Sequence, residues 1–92
     1  MDIGRAIHHA KSGDRVARRG WNGPDQYVYY VPPGRYQPKT KVAERIAAKQ
    51  ADGLVPYREY LALHTVDGEV AMWQPSVGDA LAMDWYVKEV DL

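Results

Sequence analysis

The three tryptophans of this chain lie in two short motifs whose residue types suit binding of a planar, polar ligand. Residues 18–23 read Arg-Arg-Gly-Trp-Asn-Gly, and residues 73–85 begin with Trp-Gln-Pro-Ser and end with Asp-Trp. An indole ring can form one wall of a wet pocket, and an arginine can hold a phosphate through two parallel hydrogen bonds. Because the chain has seven Tyr and no Phe, its other aromatic rings also carry a polar group. This composition favours a planar ligand, although the same rings suit a core.

Trp21 and Asn22 are the strongest binding candidates, because a predicted turn lets the ring reach a ligand and the amide meet a base edge. The alternative is that Trp21 folds back over the sheet. Arg18 and Arg19, with Arg15 before them, could hold a pyrophosphate, although arginines on an edge strand are commonly only solvated. Trp73 lies next to a predicted strand, where packing in the core competes with ligand binding.

Catalytic and metal-binding arrangements are weak in this sequence. His8 and His9 are neighbours on a predicted helix, so their side chains diverge and cannot hold one metal ion. His64 is isolated in a predicted strand, and helix capping explains Asp79 better than acid–base chemistry with Asp84. We find no glycine-rich phosphate loop, no nucleophile–histidine–acid spacing and no cluster of metal ligands. We therefore expect no enzyme activity, no catalytic residues, no bound metal and no cofactor.

Length and charge narrow the classes of function. The 92 residues predict a single domain, residues 1–92, whose core is too small to enclose a nucleotide-sized pocket. Such a pocket would lie between protomers. Twelve basic and twelve acidic residues give no net charge, so binding to a nucleic acid polymer is not expected. The absence of cysteine fits a reducing compartment, and the amino terminus resembles neither a signal peptide nor a membrane span. We expect a cytoplasmic protein with no membrane contact.

The elements that must position these residues follow from apolar periodicity and turn residues. The first predicted element is a helix with Asp2 as its N-cap, an apolar stripe of Ile3, Ala6, Ile7 and Ala10, and an end at Gly13. The others are strands at 15–18 and 26–31 around a turn at 20–24, an exposed helix at 40–49 closed near Gly53, strands at 57–66 and 69–73, a short helix opened by a Ser76–Asp79 capping box, and a strand at 84–90. This order predicts an α+β fold with a mostly antiparallel sheet, a β-hairpin and two to three short helices.

The hairpin has a specific predicted register. Asp67-Gly68 is a typical two-residue type I′ turn, which would place Leu63 opposite Met72 and Thr65 opposite Val70 on one surface. The other surface would carry Ala62, His64, Ala71 and Trp73.

These motifs, in this order and over nearly the whole chain, resemble the Thoeris anti-defence 2-like family. The resemblance is carried by the stretches Val16-Ala17-Arg18-Arg19-Gly20-Trp21-Asn22-Gly23, Val31-Pro32, Thr65-Val66-Asp67-Gly68, Trp73-Gln74-Pro75-Ser76, Asp79, Leu81-Ala82 and Asp84-Trp85. The chain departs from the family pattern between residues 33 and 56, where the predicted helix is more basic than the resemblance implies. Because this region can border the pocket, the departure bears on ligand choice.

The resemblance implies a phage or prophage protein that sequesters an immune messenger of the host without cleaving it. The expected ligands are cyclic ADP-ribose isomers made by TIR-domain enzymes, or cyclic oligonucleotides, held between subunits of a homo-oligomer, typically a tetramer. The matching positions imply that Trp21 and Asn22 contact the base or ribose, Arg18 or Arg19 a phosphate, and Asp84 a hydroxyl. Tyr27, Tyr29 and Trp73 are weaker candidates.

Two rival functions come from other classes. A protein-interaction module would bury its exposed aromatic rings against a host protein and bind no nucleotide. A nucleotide hydrolase would release a cleaved ligand.

Overall fold

A computed structural model describes residues 1–23 and 25–89 of the chain. The elements are α1 (Ile3–Lys11), β1 (Arg15–Arg18), β2 (Tyr27–Val31), β3 (Gly34–Tyr36), α2 (Lys41–Ala48), β4 (Val55–Tyr57), β5 (Tyr60–His64), β6 (Val70–Met72), α3 (Val77–Leu81) and β7 (Trp85–Lys88). This is the predicted α+β fold, and it is confirmed. The predicted strand end at Val90 and the turn residue Pro24 lie outside the described residues.

Five strands form the main sheet in the order β6-β5-β2-β1-β7, with antiparallel neighbours throughout. Helix α1 packs on one face. Asp2 caps its amino terminus by accepting a hydrogen bond from the Arg5 N–H at 2.8 Å, and its apolar stripe buries Ala6 and Ala10. These residues meet Val16, Val28 and Trp85 in the main core. The stripe and cap predicted from the sequence are therefore confirmed.

The opposite face of the sheet has no helix packed on it among the described residues, and we call it the open face. Its side chains follow from the strand register, because residues two apart share a face. Val16 pairs with Val28 and Val87 on the helix side, so Arg15, Ala17, Tyr27 and Tyr29 project to the open face. The paired residues on this face include Ala62, His64, Val70, Met72 and Tyr86.

A second unit, which we call the lobe, consists of β3, α2 and β4. Strands β3 and β4 form a separate two-stranded antiparallel sheet, and Ala47 and Val55 are its buried residues. The radius of gyration is 15.8 Å, whereas a compact chain of this length has about 12 Å. The longest axis of the molecule is 44 Å. The lobe therefore has its own small core, and the molecule as a whole is elongated.

The predicted single strand over 57–66 is wrong in one respect. Tyr57 belongs to β4 of the lobe, and the main-sheet strand begins only at Tyr60. The break falls at Arg58-Glu59, where the chain passes from one sheet to the other. The predicted exposed helix at 40–49 is confirmed, with Thr40 as its N-cap and only Ala47 fully buried.

The predicted hairpin register is also wrong. Ala62 pairs with Met72, Leu63 with Ala71 and His64 with Val70, one residue away from the predicted pairing. The loop has three residues, closed by Thr65 N–H to Glu69 O at 2.8 Å and Gly68 N–H to Thr65 O at 3.0 Å. Gly68 has φ +83°, as expected of a type I turn followed by a left-handed glycine. Because a one-residue slip exchanges the faces, His64 and Met72 share the open face instead.

Candidate functional site

The three indoles form one cluster on the helix side of the sheet. Ring centroids are 5.3 Å apart for Trp21 and Trp85, 5.8 Å for Trp73 and Trp85, and 6.3 Å for Trp21 and Trp73, all in edge-to-face geometry. Each such pair contributes about 0.5–1.5 kcal/mol beyond its buried area. Trp85 is buried, and the other two are half-buried. The tryptophan cluster therefore joins the two sequence motifs, which lie more than fifty residues apart.

A network of one arginine and two aspartates borders this cluster. Arg18 donates from Nη1 to Asp79 Oδ1 at 2.9 Å and from Nε to Asp84 Oδ1 at 2.8 Å. The Gly20 N–H donates to Asp84 Oδ2 at 3.0 Å. Two carboxylates around one guanidinium leave a local charge of minus one. A phosphate that approached Arg18 would have to compete with both aspartates.

Asp79 links this network to the tryptophan cluster. Its carboxylate also accepts from Trp21 Nε1 at 3.3 Å and from the Ser76 N–H at 3.1 Å, and its backbone carbonyl accepts from Trp85 Nε1 at 2.9 Å. The Ser76 hydroxyl accepts from the Asp79 N–H in return, which completes the predicted capping box of α3. The capping role is confirmed, and it fixes the carboxylate where Arg18 and Trp21 reach it.

The pKa values in the network reflect these contacts. The hydrogen bond from Arg18 lowers the pKa of Asp84, with the Gly20 N–H adding to the effect. Burial raises the pKa of Asp79, but hydrogen bonds from Arg18, Ser76 and Trp21 together outweigh it, so that pKa is also lowered. The carboxylates of Asp84 and Asp79 raise the pKa of Arg18. All three groups are charged at neutral pH, which suits a fixed scaffold better than proton transfer.

The open face carries a second group of aromatic and basic residues. Tyr27 stacks on His64 at 4.7 Å with nearly parallel rings, and Tyr29 lies 6.2 Å from Tyr27. The Arg15 guanidinium lies 4.8 Å from the centre of the Tyr27 ring. Its Nε is buried without a hydrogen-bond partner in the described part of the chain. A cleft of about 270 Å³ lies among these side chains and Val70.

The predicted site residues therefore divide into two groups, one on the helix side of the main sheet and one toward its open face. Arg18, Trp21, Trp73 and Asp84 contact one another or share partners on the helix side. Arg19 and the two tyrosines lie toward the open face, where the Arg19 guanidinium is 4.3 Å from the Tyr86 ring centre. Arg18 pairs with Trp85 where β1 ends and β7 begins, and β2 begins nearby at Tyr27, whereas Tyr29 lies two residues further along β2.

Asn22 lies in the β1–β2 loop. It is exposed, and its side chain makes no hydrogen bond to the described residues. The sequence marks Arg15 and His64 only as weak candidates, because the alternation of residues along a strand cannot show that distant segments bring them beside Tyr27. The sequence pattern predicts only a capping role for Asp79, because nothing near it in the chain indicates that Arg18 reaches its carboxylate.

The site offers donors, acceptors and aromatic rings for binding. No group of three or more His, Asp or Glu side chains that could hold a metal ion occurs within residues 1–23 and 25–89. In the same residues no helix is long and apolar enough to cross a bilayer.

The fold and site define a small α+β protein with a helix on one side of a five-stranded antiparallel sheet and a tryptophan–arginine–aspartate cluster at one end. The family model of the Thoeris anti-defense 2-like domain matches residues 1–88, and the chain belongs to this family. A relative from Bacillus phage SP01, "Thoeris anti-defense 2", is 28% identical over 91 residues, which cover 92% of this chain and 91% of the relative. The resemblance seen in the sequence is confirmed, and it supports a phage anti-defence protein.

Proposed function

We propose that this protein counters host defence by sequestering a cyclic nucleotide messenger, chiefly a cyclic ADP-ribose isomer made by TIR-domain enzymes, without cleaving it. The observation that carries the proposal is the family match over residues 1–88. The family name points to a non-enzymatic role, and a binding role agrees with side chains that are fixed in charged, fully paired states. A cyclic oligonucleotide is the alternative messenger. The protein would act in the cytoplasm of the host bacterium.

Side chains of the β1–β2 loop and of the open face are the proposed ligand contacts. Asn22 is exposed and unpaired among the described residues, and Arg19 and Arg15 each present a guanidinium beside a tyrosine ring. Tyr27 and Tyr29 supply rings on the same face. We assign positioning roles to Arg18 and Trp73, whose contacts are internal, and keep the exposed edges of Trp21 and Asp84 as contacts to base and hydroxyl.

The affinity needed for sequestration is physically reasonable. Stacking on an aromatic ring is worth roughly 1–3 kcal/mol per base. A ligand of about 35 heavy atoms at ~0.3 kcal/mol per atom reaches roughly −10 kcal/mol, which corresponds to tens of nanomolar. A protein in excess over its messenger would hold nearly all of it at that affinity.

We further propose that the protein forms a homo-oligomer, a tetramer, and that the messenger binds between its subunits. The open-face cleft, about 270 Å³, is slightly smaller than the pockets of about 300 Å³ or more that enclose a drug-sized ligand. A second subunit would close it. Val77, Leu81 and Met83 around α3 are 71–77% exposed, and such an apolar patch is typical of a protein contact. The same patch is the observation that favours the rival function, contact with a host protein.

The test is calorimetric titration with cyclic ADP-ribose isomers and cyclic di- and trinucleotides, using Arg19→Gln and Arg5→Gln as matched variants. Both arginines are exposed, but only Arg19 lies at the proposed site. Losing a charged phosphate contact should weaken binding by roughly 10- to 150-fold in Arg19→Gln and leave Arg5→Gln unchanged. Trp21→Ala is less informative, because it also removes the centre of the tryptophan cluster.

Ligand recovered after heat denaturation distinguishes binding from hydrolysis. Intact messenger supports sequestration, whereas a cleaved product supports a hydrolase. No binding to any member of the panel would contradict sequestration and favour the protein-interaction function.

A further inference from the structure

The lobe carries a groove that the proposed messenger contacts do not include. Its lining residues are Tyr36, Gln37, Lys39, Tyr57 and Tyr60, and its volume is about 350 Å³. This volume lies within the range of small-molecule sites. The rings of Tyr36 and Tyr57 are 5.6 Å apart and inclined by 58°, and each residue is about half exposed. Rings that are half exposed and turned toward one space leave aromatic surface for a planar ligand.

The strands of the lobe hold Tyr36 in this position. A Cβ atom placed on Gly34 would lie 2.6 Å from the Tyr36 hydroxyl oxygen, so the ring lies directly over Gly34. The pairing of Gly34 with Tyr57 and of Tyr36 with Val55 fixes the second ring beside the first. A larger residue at position 34 would displace the Tyr36 ring, so glycine at this position keeps the ring beside the groove.

The charge of the lobe favours an anion. Five basic and two acidic residues lie between positions 34 and 57, from the start of β3 to the end of β4, although the whole chain is neutral. Asp52 is already neutralised by Arg35, through Nε to Oδ2 at 2.6 Å and Nη2 to Oδ1 at 2.9 Å. Lys39 lines the groove and forms no ion pair within the described residues. No acidic residue lines the groove.

The position of the lysines relative to α2 also favours an anion. Lys39 and Lys41 flank Thr40, the N-cap of this helix. Cations at the amino-terminal end of a helix oppose its dipole and are unfavourable there. An anion bound beside Lys39 would offset that cost, which adds to the attraction from the lobe as a whole.

We propose that this lobe groove is a binding site for a phosphorylated nucleoside, with the base against Tyr36 and Tyr57 and the phosphate at Lys39. Aromatic rings that stack on a base beside a basic group are the usual combination for nucleotides and single strands. The site uses different residues from those proposed for the messenger. The proposal of a lobe groove site does not depend on messenger sequestration.

The probe is AMP, titrated into the full-length protein at low ionic strength and followed by two-dimensional amide NMR. Adenosine and inorganic phosphate, titrated separately, should each bind more weakly than AMP. A single-stranded adenylate hexamer carries the same base and phosphate as part of a nucleic acid. Comparing its affinity with that of AMP distinguishes a nucleic acid end from a free nucleotide as the ligand. Saturating AMP should shift the amide signals of Tyr36, Gln37 and Lys39 and of residues 57–60.

Lys39→Gln and Lys49→Gln are matched variants, because both lysines are exposed on the lobe and only Lys39 lines the groove. Lys39→Gln should weaken AMP binding about tenfold, and Tyr57→Ala at least fivefold. Lys49→Gln should leave the affinity within twofold. These results would support the site even if no cyclic messenger binds.

Three results would overturn the proposal. Equal weakening by Lys39→Gln and Lys49→Gln would mean that only the overall charge of the lobe matters. AMP shifts confined to residues around Asn22, with none in the lobe, would place the nucleotide elsewhere. Loss of messenger binding in Lys39→Gln would make the lobe groove part of the messenger site instead of a separate one.

Discussion

Asp79 connects three structural roles through one carboxylate. It completes the capping box of α3 with Ser76, accepts a hydrogen bond from the Trp21 indole and pairs with Arg18. Its side chain is only 13% exposed, so these partners replace most of the water around it. Removing the charge leaves Arg18 with Asp84 alone and weakens the attachment of the β1–β2 loop to α3.

The first prediction concerns Asp79→Asn and acid stability. Folding lowers the pKa values of Asp79 and Asp84. Their contribution is therefore complete above the unfolded pKa of about 3.9 and is lost as the pH falls through the folded values. Asp79→Asn should reduce the free energy of unfolding at neutral pH by roughly 1.5–3 kcal/mol. It should also lose less stability than the wild type between about pH 5 and pH 3.

Urea unfolding at several pH values measures this effect. Asp67→Asn is the control, because Asp67 is exposed in the β5–β6 turn and its side chain has no hydrogen bond to the described residues. That variant should follow the wild-type profile. Parallel profiles for Asp79→Asn and the wild type below pH 5 would contradict the assignment of stability to this carboxylate.

At the scale of elements, the β5–β6 turn determines which side chains reach the open face. Gly68 has φ +83°, and a Cβ atom there would meet nothing within 4 Å. The cost of Gly68→Ala is therefore backbone strain alone, and we expect a loss of about 1–2 kcal/mol in unfolding free energy. Gly78→Ala, inside helix α3, should instead stabilise by about 0.5–1 kcal/mol.

Thermal unfolding of both variants tests the assigned turn. Opposite shifts of the melting temperature are expected, each by a few degrees for a domain of this size. If Gly68→Ala is as stable as the wild type, the left-handed glycine and the register that depends on it are wrong.

The sequence predicted an element correctly where its formation depends only on residues that are close together in the chain. The Asp2 cap, the α1 stripe, the Thr40–Lys49 helix and the Ser76–Asp79 capping box all depend on residues within one turn of each other. The hairpin register failed because Asp-Gly fits a two-residue and a three-residue loop equally well. Only the Thr65 to Glu69 hydrogen bonding selects the longer loop.

Long-range pairing was the part that the sequence could not supply. Nothing local shows that Tyr57 pairs with Gly34 and leaves the main sheet, so the sequence pattern predicts only a helix and part of a long strand in this region. For the candidate site, the motifs indicated which residue types matter. Whether Arg18 faces a ligand or two aspartates depends on contacts that span more than sixty residues.

At the scale of the whole molecule, α3 has its polarity reversed relative to an ordinary surface helix. Asp79 turns inward to Arg18 and Trp21, while Val77 and Leu81 are exposed on the outside with Met83 beyond the helix end. An ordinary surface helix buries its apolar side. The network around Asp79 fixes this orientation, so the apolar side chains are held outward even though burial would favour the reverse.

This reversal predicts that α3 contributes to the interface between subunits. Leu81→Ser should leave the fold intact, because Leu81 is 76% exposed and exposed substitutions change stability by about 0.5 kcal/mol or less. It should nevertheless shift the mass measured by light scattering from a multiple of 10.4 kDa toward the monomer. Val42→Ser on α2, 67% exposed, is the matched control and should not change the mass. If the wild type is monomeric, or if both variants associate like the wild type, the reversed helix does not build the oligomer and contact with a host protein becomes the better explanation of its apolar side.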